Sequence, residues 1–317
     1  MKIGILGTSN IAFRRFLPAL KKSPDFTYAG VASRTPEKGA QFVAQYGGEI
    51  YPTYDSILED DSITAVYVPL PPALHYEWGR RVLEAGKMLL MEKPFTTCLR
   101  DTEELLALAE GKRLAVHENY MFAYHSQLSR IRELMADGTL GELRLLRASF
   151  GFPKRSESDF RYNRDLGGGA LLDCGGYPLR LATELLGPDI EVVQASLTQP
   201  DSYDVDLFGN TVVRSGAGIF GQISFGMDNA YQCQLELWGS NSTIIASRIF
   251  TAGAGACPEL IIRTSTDQRT ETLPEDDQFL HSIERFAASC RDVGREDMYR
   301  IIRRQAVLVE DVRRLGS

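Results

Sequence analysis

The sequence predicts two domains: a doubly wound α/β domain with a parallel sheet, then an α+β domain with a large, mostly antiparallel open sheet. The chain has 317 residues, more than a single core usually occupies. Up to about residue 117, short apolar runs alternate with helical patterns, which is typical of a parallel sheet covered on both faces. Beyond that point strand candidates follow one another, and residues 232–238 alternate polar and apolar side chains, which indicates antiparallel sheet.

The first domain is expected to contain five strands with helices between them. The strands are predicted at Lys2–Leu6, residues 28–32, Ala65–Val68, Met88–Met91 and residues 114–117. Helices are predicted at residues 11–22, 73–85 and 100–110, and another follows Thr35, which is placed as its cap, with Pro36 in the first position. Gly86 and Gly111 are expected to end the helices before them.

The second domain is expected to begin with a helix at residues 123–137 and a strand at residues 143–150. A long helix over residues 169–186 ends at Gly187, and several strands lie between residues 191 and 262, two of them at 221–225 and 232–238. Helices at residues 278–291 and 298–315 close the chain. We place the domains at residues 1–117 and 118–317, and the last helix could return to the first domain.

Composition argues against several classes of partner. The formal net charge is −7 and no basic run occurs in the folded part, which argues against nucleic acid. No apolar run approaches the roughly 20 residues of a membrane-spanning helix, and the apolar stretch at the N-terminus breaks at Gly7, too early for a signal peptide. We therefore expect a cytoplasmic protein.

The cysteines and histidines do not indicate a disulfide framework or a metal site. The five cysteines are scattered and form no CxxC pair. The four histidines are not spaced with cysteines or carboxylates as metal ligands usually are. We therefore expect no bound metal.

A degenerate dinucleotide-binding loop follows the first strand. It consists of Gly7, Thr8, Ser9, Asn10, Ile11 and Ala12, with Ser9 and Ala12 at the positions of the second and third glycines of the usual fingerprint. A tight turn leading into a helix N-terminus suits a pyrophosphate. As the first turn of a strand–helix alternation, it predicts a Rossmann domain.

The end of the second strand indicates the form of the dinucleotide. An NAD-dependent enzyme normally places an acid here, on the ribose 2′-hydroxyl, whereas this chain has Ser33 and Arg34. A guanidinium can hold a 2′-phosphate with two parallel hydrogen bonds, so NADP(H) is the favoured cofactor. Arg34 could instead be a solvated loop residue.

The tripeptide Glu92-Lys93-Pro94 ends the fourth strand and faces the crevice where Rossmann domains bind ligands. A lysine there could donate a proton or a hydrogen bond to a carbonyl oxygen. Together with residues 74–78, 119–122, 167–177 and 235–239, this motif makes the sequence resemble the glucose–fructose oxidoreductase/inositol dehydrogenase (Gfo/Idh/MocA) family. The resemblance extends over essentially the whole chain.

The resemblance implies roles for particular residues. Lys93 would contact the substrate oxygen that undergoes redox and the nicotinamide, and Glu92 would belong to the same cofactor site. Asp173 and Tyr177 would form the second half of the site on the long helix, with Tyr177 in the proton relay. From the residues alone, Tyr177 could also be a core tyrosine, and Asp173 could cap or hydrogen-bond a neighbouring loop.

The resemblance also implies cofactor contacts outside these motifs. Leu70, Pro71 and His75 match positions that line the nicotinamide and ribose, although His75 could be a structural histidine. Arg161 matches an arginine that contacts the cofactor, but Phe160 replaces the tryptophan usually found before it.

The expected function is hydride transfer between NADP(H) and a sugar-like carbonyl or alcohol. Some members of the family have histidine at the position of Tyr177. The tyrosine here and the residues around it resemble NDP-hexose 3-ketoreductases, so a sugar or nucleotide sugar is the expected substrate. An aldose 1-dehydrogenase or trans-dihydrodiol dehydrogenase would share these motifs, and a non-catalytic NADP-binding regulator is a second alternative. Because the open sheet needs a covering, we expect a homodimer or homotetramer through it.

Overall fold

The computed structural model describes residues 1–33 and 35–316. They form two compact units. The first comprises Met1–Asn119 with Phe279–Ala306, and the second comprises Tyr120–Gln278 with Val307–Ser317. These units differ from a single cut at residue 117, because residues 279–306 group with the N-terminal segment. Within the described ranges, no helix is long and apolar enough to cross a membrane.

The first unit is built on a six-stranded parallel sheet. Its order is β3-β2-β1-β4-β5-β6, the doubly wound arrangement that the sequence predicted. The strands are β1 (Lys2–Leu6), β2 (Thr27–Ala32), β3 (Glu49–Tyr51), β4 (Ala65–Val68), β5 (Met88–Met91) and β6 (Val116–Glu118). The expectation of five strands is wrong, since β3 adds an edge strand. It escapes sequence analysis because it has three residues and no buried side chain.

Helices follow the strands of the first unit. They are α1 (Leu17–Leu20), α2 (Pro36–Tyr46), α3 (Tyr54–Glu59), α4 (His75–Glu84) and α5 (Leu99–Lys112). A π-helical turn at Ala12–Phe16 precedes α1, and a 3-10 turn at Pro72–Leu74 precedes α4. The helix predicted at residues 11–22 is therefore a π turn joined to one short α-helical turn.

Two helix ends differ from expectation. Thr35 stands before α2, but its side chain makes no capping hydrogen bond. Gly111 lies inside α5, and the left-handed residue that ends this helix is Arg113, with φ of 57°. The chain turns there because the backbone N–H of Leu114 donates to the carbonyl of Ala109 at 2.9 Å, which brings Leu114 back onto the helix.

Residues from the end of the chain complete the core of the first unit. The closing helices are α8 (Gln278–Cys290) and α9 (Arg295–Gly316). Tyr299 and Ile302 pack in the apolar cluster formed by β4, β5, α4 and α5. The Tyr299 hydroxyl also donates to the carbonyl of Leu114 at 2.6 Å. The first part of α9 therefore belongs to the core of this unit.

The second unit is built on an eight-stranded sheet of order β14-β13-β12-β11-β7-β10-β9-β8. Its pairs are antiparallel except for β7 with β10, as expected of a mostly antiparallel open sheet. The strands are β7 (Leu143–Gly151), β8 (Glu191–Thr198), β9 (Phe208–Arg214), β10 (Phe220–Gly226), β11 (Gln232–Gly239), β12 (Thr243–Ser247), β13 (Glu259–Arg263) and β14 (Gln268–Thr272).

The second unit has two helices near its first strands, of which one precedes β7 and the other lies between β7 and β8 in sequence. The helix α6 (Ser126–Ala136) starts three residues later than predicted, because the His125 side chain caps it by accepting a hydrogen bond from Gln127 N–H at 3.1 Å. The helix α7 (Gly176–Leu186) continues a π-helical turn at Leu171–Gly175 and ends at Gly187, as predicted.

Candidate active site

Gly7 ends β1 at the point where the strand order reverses, with β2 on one side and β4 on the other. Ligands of doubly wound sheets bind at the carboxyl ends of the strands at this point. The φ of Gly7 is +92°, and a Cβ there would stand 2.8 Å from Leu70 Cδ2. Glycine adopts this φ without strain, so it suits the turn from β1 into the helical segment that follows.

The rest of the predicted dinucleotide loop leads from β1 into the first helical segment. Thr8, Ser9 and Ile11 are partly exposed, and Asn10 is exposed. Ser9 Oγ accepts a hydrogen bond from Ala12 N–H at 3.2 Å, in the manner of a helix cap. The first-turn N–H groups, which have no intrahelical acceptor, attract an anion. The residues present therefore fit the pyrophosphate of a dinucleotide.

The end of β2 is described only in part. The Ser33 hydroxyl donates to the carbonyl of Thr35 at 2.7 Å and accepts from the Thr35 N–H at 3.1 Å, so it forms a local turn. Arg34, the residue predicted to bind a 2′-phosphate, lies outside the described residues. Its assignment stays a prediction.

Glu92 is fixed by two donors behind Lys93. Its Oε1 accepts hydrogen bonds from the Tyr67 hydroxyl and from Asn119 Nδ2, both at 2.6 Å. Burial of the carboxylate raises the pKa of Glu92. Lys93 is partly exposed, and the peptide bond that joins it to Pro94 is cis. The strand ends of β4, β5 and β6 thus hold the Glu92-Lys93 pair in one place.

The hydrogen bonds around Glu92 continue into α8. Ser282 Oγ donates to Asn119 Oδ1 at 2.8 Å, and His117 Nε2 lies 2.9 Å from the same hydroxyl. Ser282 is 163 residues from Asn119 in sequence. Sequence reasoning missed Tyr67 and Ser282, because nothing in their local pattern distinguishes them from core residues.

His75 joins the two loops that follow β4 and β5. Its Nδ1 lies 2.7 Å from the carbonyl of Pro94, and its Nε2 lies 2.8 Å from the carbonyl of Leu70. Burial lowers the pKa of His75 to about 4, although both carbonyls act in the opposite direction. The ring is fully buried, whereas Leu70 and Pro71 are partly exposed. The contacts of His75 fit the structural alternative better than a direct cofactor contact.

In the second unit, Asp173 and Tyr177 lie one turn apart. Asp173 is in the π-helical turn and Tyr177 in the first turn of α7. The N-terminus of this segment is capped by Asp206, whose Oδ2 accepts from Leu171 N–H at 2.7 Å. Burial raises the pKa of Asp206. Sequence analysis missed Asp206, because it caps a helix that begins 35 residues earlier.

The Tyr177 ring is surrounded by other aromatic rings. Its centroid lies 5.1 Å from that of Tyr120 and 5.0 Å from that of Phe150. Phe122 and Phe250 lie at 5.8 Å each. The ring is 7% exposed. Its position is therefore fixed by packing.

Arg161 is engaged by two carboxylates. Its Nε donates to Asp173 Oδ2 at 2.7 Å, and its Nη1 lies 3.0 Å from Asp159 Oδ1. The guanidinium also stacks over the Phe160 ring, 4.5 Å from its centroid. In this arrangement Arg161 orients Asp173 and places a positive charge beside its carboxylate.

The predicted site residues therefore form two groups. Gly7 to Ala12, Ser33, Leu70, Pro71, His75, Glu92 and Lys93 belong to the first unit, whereas Arg161, Asp173 and Tyr177 belong to the second. Among the residues that the structure describes, no group of three or more His, Cys, Asp or Glu side chains could hold a metal ion.

Comparison with known proteins agrees with this architecture. Residues 1–120 match the model of an oxidoreductase family with an NAD-binding Rossmann fold, and residues 128–245 match the Gfo/Idh/MocA C-terminal domain. A dTDP-3,4-didehydro-2,6-dideoxy-alpha-D-glucose 3-reductase from Actinomadura kijaniata is 39% identical over 99% of this chain and 95% of its own length. A D-xylose 1-dehydrogenase (NADP(+)) from Haloferax volcanii is 29% identical over 98% of this chain and 94% of its own length.

A solved structure is also similar over the whole chain. The crystal structure of a 3-ketoreductase from Actinomadura kijaniata, in complex with NADP and TDP-benzene, has a TM-score of 0.96 and 39% identity, with coverage of 99% of this chain and 97% of that one. Variants of that reductase with a lysine changed to alanine, or a tyrosine changed to phenylalanine, superpose with TM-scores of 0.92 and 0.96. This chain is thus a nicotinamide-dependent oxidoreductase of the Gfo/Idh/MocA family, with the Rossmann domain and C-terminal domain of that family.

Proposed function

We propose that this oxidoreductase uses NADPH to reduce the C3 ketone of a dTDP-linked dideoxyhexose. The observation that carries the proposal is the full-length similarity to 3-ketoreductases. The lysine and tyrosine replaced in the variants of the Actinomadura kijaniata enzyme are separated by the same number of residues as Lys93 and Tyr177.

The first unit would bind the cofactor. The loop from Gly7 to Ala12 would hold the pyrophosphate, and Ser33 with Arg34 would hold the ribose 2′-phosphate. Leu70 and Pro71 follow β4 and would line the nicotinamide and ribose, while His75 holds their loop to the one carrying Lys93. When bound, NADPH supplies a hydride to the ketone carbon.

Lys93 and Tyr177 handle the proton that the reduced oxygen takes up. The Lys93 ammonium has three donors, of which one polarises the ketone oxygen before reduction. Tyr177 donates its hydroxyl proton to the same oxygen, and its ring packing removes the rotational freedom that would misalign it. Asp173, oriented by Arg161, accepts a hydrogen bond from a substrate hydroxyl.

A substrate and cofactor screen tests this proposal. We expect oxidation of NADPH with the dTDP-linked 3-ketosugar, much slower oxidation of NADH, and little reaction with the same sugar freed of its nucleotide. If the protein binds NADPH but reduces no carbonyl compound, the proposal fails and a non-catalytic NADP-binding regulator is indicated instead.

An aldose dehydrogenase is the second candidate, and the D-xylose 1-dehydrogenase relative favours it. Such an enzyme would share Lys93 and Tyr177 and run in the oxidative direction. Rapid reduction of NADP+ by free D-xylose, with no reduction of the nucleotide sugar, would select this candidate.

We also propose a homodimer or homotetramer that forms through the outer face of the eight-stranded sheet. On this face Phe220, Leu145 and Trp238 form one row across adjacent strands. Phe220 is 44% exposed and Trp238 50% exposed. Arg147 stacks over the Trp238 ring and pairs with Glu236 at 2.7 Å, so the apolar row has a polar border. An exposed apolar row with a polar border is typical of a protein interface.

A further inference from the structure

A row of aromatic rings in edge-to-face contact leads from Tyr177 to an exposed arginine. The Phe150 centroid lies 5.0 Å from Tyr177, and the Phe152 centroid lies 6.3 Å from Phe150. Arg155 Cζ stands 5.0 Å from the Phe152 centroid. Phe150 lies near the end of β7 and Phe152 is the first residue after this strand. The guanidinium is therefore reached from the proposed proton donor by three consecutive ring contacts.

The backbone that carries Arg155 is anchored. Phe152 N–H donates to the carbonyl of Gly226 at 3.1 Å. The Arg155 N–H donates to the Tyr162 hydroxyl at 2.8 Å, and that hydroxyl donates to the carbonyl of Met227 at 3.2 Å. Tyr162 is 7% exposed. The loop is thus tied to the strand beside β7 at two points, which fixes the position of its basic residues.

Arg155 has charge and donors to offer a ligand. In the portion of the chain that the structure describes, no carboxylate forms an ion pair with Arg155, although the net charge of the chain is −7. Lys154, the neighbouring cation, stacks 5.3 Å from the Tyr203 centroid and pairs with the exposed Glu157 at 3.2 Å. An arginine stacked on an aromatic ring keeps its outer edge free for two parallel hydrogen bonds to a phosphate.

The geometry points to Arg155, assisted by Lys154, as the binding site for the diphosphate of the nucleotide carrier, an inference that rests on the proposed function. A diphosphate on the anomeric carbon lies beyond the sugar ring from an oxygen at C3. The six residues from Phe150 to Arg155 span at most roughly 18 Å when extended. A sugar ring together with its diphosphate, lying over the Phe150 and Phe152 rings, would fit within this interval, with the ketone at Tyr177 and the diphosphate at Arg155.

Calorimetric titration with dTDP, in the presence of saturating NADP+, tests the inference. We expect Arg155→Ala to weaken dTDP binding by about tenfold or more, which corresponds to about 1.4 kcal/mol. Thymidine, which lacks phosphates, should bind both proteins equally. Arg155→Lys should recover part of the loss, because it keeps the charge without the fork of donors. Arg144→Ala, at an exposed arginine of β7 that pairs with Glu142, is the control.

Turnover separates this inference from the proposed function. Arg155→Ala should raise the KM for the dTDP-linked sugar with little change in kcat or in NADPH affinity, because the lost contact is made equally before and during reaction. Wild-type dTDP affinity and KM in Arg155→Ala, with normal reduction of the sugar, would overturn the diphosphate site alone. If wild-type protein binds dTDP but reduces no nucleotide sugar, the proposed function fails and the diphosphate site stands.

Discussion

Removing the hydroxyl of Tyr67 tests the hydrogen bonds that hold Glu92 behind Lys93. Tyr67→Phe keeps the buried ring, whose centroid lies 4.0 Å from that of Phe16, and deletes a donor 2.6 Å from Glu92 Oε1. A hydrogen bond to a charged group contributes about 1.5–3 kcal/mol, and one to a neutral group about 0.5–1.5 kcal/mol. We therefore expect Tyr67→Phe to lower the free energy of unfolding of the first unit by about 2 kcal/mol.

Tyr299→Phe is a matched control. Its hydroxyl also lies 2.6 Å from its acceptor, but that acceptor is the neutral carbonyl of Leu114. Both tyrosine side chains are fully buried, with relative exposures of 0% and 1%. The free energy of unfolding of this control should fall by about 1 kcal/mol, the value for a hydrogen bond between neutral groups.

Urea unfolding followed by tryptophan fluorescence measures both losses. The chain has two tryptophans, so a Trp238→Phe background leaves Trp78, in α4, as a reporter of the first unit. With a slope of about 2 kcal/mol/M, Tyr67→Phe should shift the midpoint by about 1 M and Tyr299→Phe by about half as much. Equal shifts for the two variants would show that the Glu92 carboxylate does not strengthen the Tyr67 hydrogen bond.

Three further predictions concern the cofactor, the assembly and pH. Arg34→Ala should raise the KM for NADPH far more than that for NADH, and equal effects on the two would contradict a 2′-phosphate contact. Trp238→Arg should shift sedimentation toward the monomer, whereas Val293→Arg, at a 61% exposed residue between α8 and α9, should not; an unchanged oligomer in Trp238→Arg, or a monomeric wild-type protein, would contradict the interface. The pKa of His75 is about 4 in the folded chain and 6.5 when unfolded, so the unfolded state binds more protons between these values. Acidification from pH 7 to pH 4 should therefore lower the free energy of unfolding of the wild-type protein by about 3 kcal/mol more than that of His75→Gln. If the free energies of unfolding of the two proteins fall in parallel with pH, His75 is not buried as a neutral ring.

The parallel, doubly wound class of the first sheet was predictable because five of its strands are short apolar runs at regular intervals, whereas β3 has no buried side chain and was missed. The end of α5 was not predictable, because Gly111 has open space around it and the helix passes through it, whereas the left-handed residue is Arg113. A glycine marks a helix end only where the chain beyond it turns. Here the turn comes after Arg113, where the Leu114 N–H donates to the carbonyl of Ala109.

The candidate site divides in the same way. Gly7, Lys93, Asp173 and Tyr177 could be proposed from the sequence, because each belongs to a motif with a fixed place on a strand end or helix. The residues that support them, such as Asp206 and Ser282, come from distant parts of the chain and have no local signal. Their roles depend on tertiary contacts, which spacing along one sequence does not encode.

Single-turnover reduction of the dTDP-linked 3-ketosugar with 4-deuterated NADPH tests whether the enzyme delivers a hydride to C3 of the sugar and whether Lys93 and Tyr177 are needed for the transfer. Wild-type protein should place the deuterium at C3 of the sugar. Lys93→Met should slow transfer by roughly 100- to 10,000-fold, the usual contribution of a well-placed general acid, and Tyr177→Phe should slow it substantially. The double variant should be less than additively worse, since the two groups are proposed to act on one oxygen. Lys21→Met and Tyr231→Phe, at exposed positions, should transfer at the wild-type rate. Deuterium at another carbon, or wild-type transfer by Lys93→Met, would contradict the account.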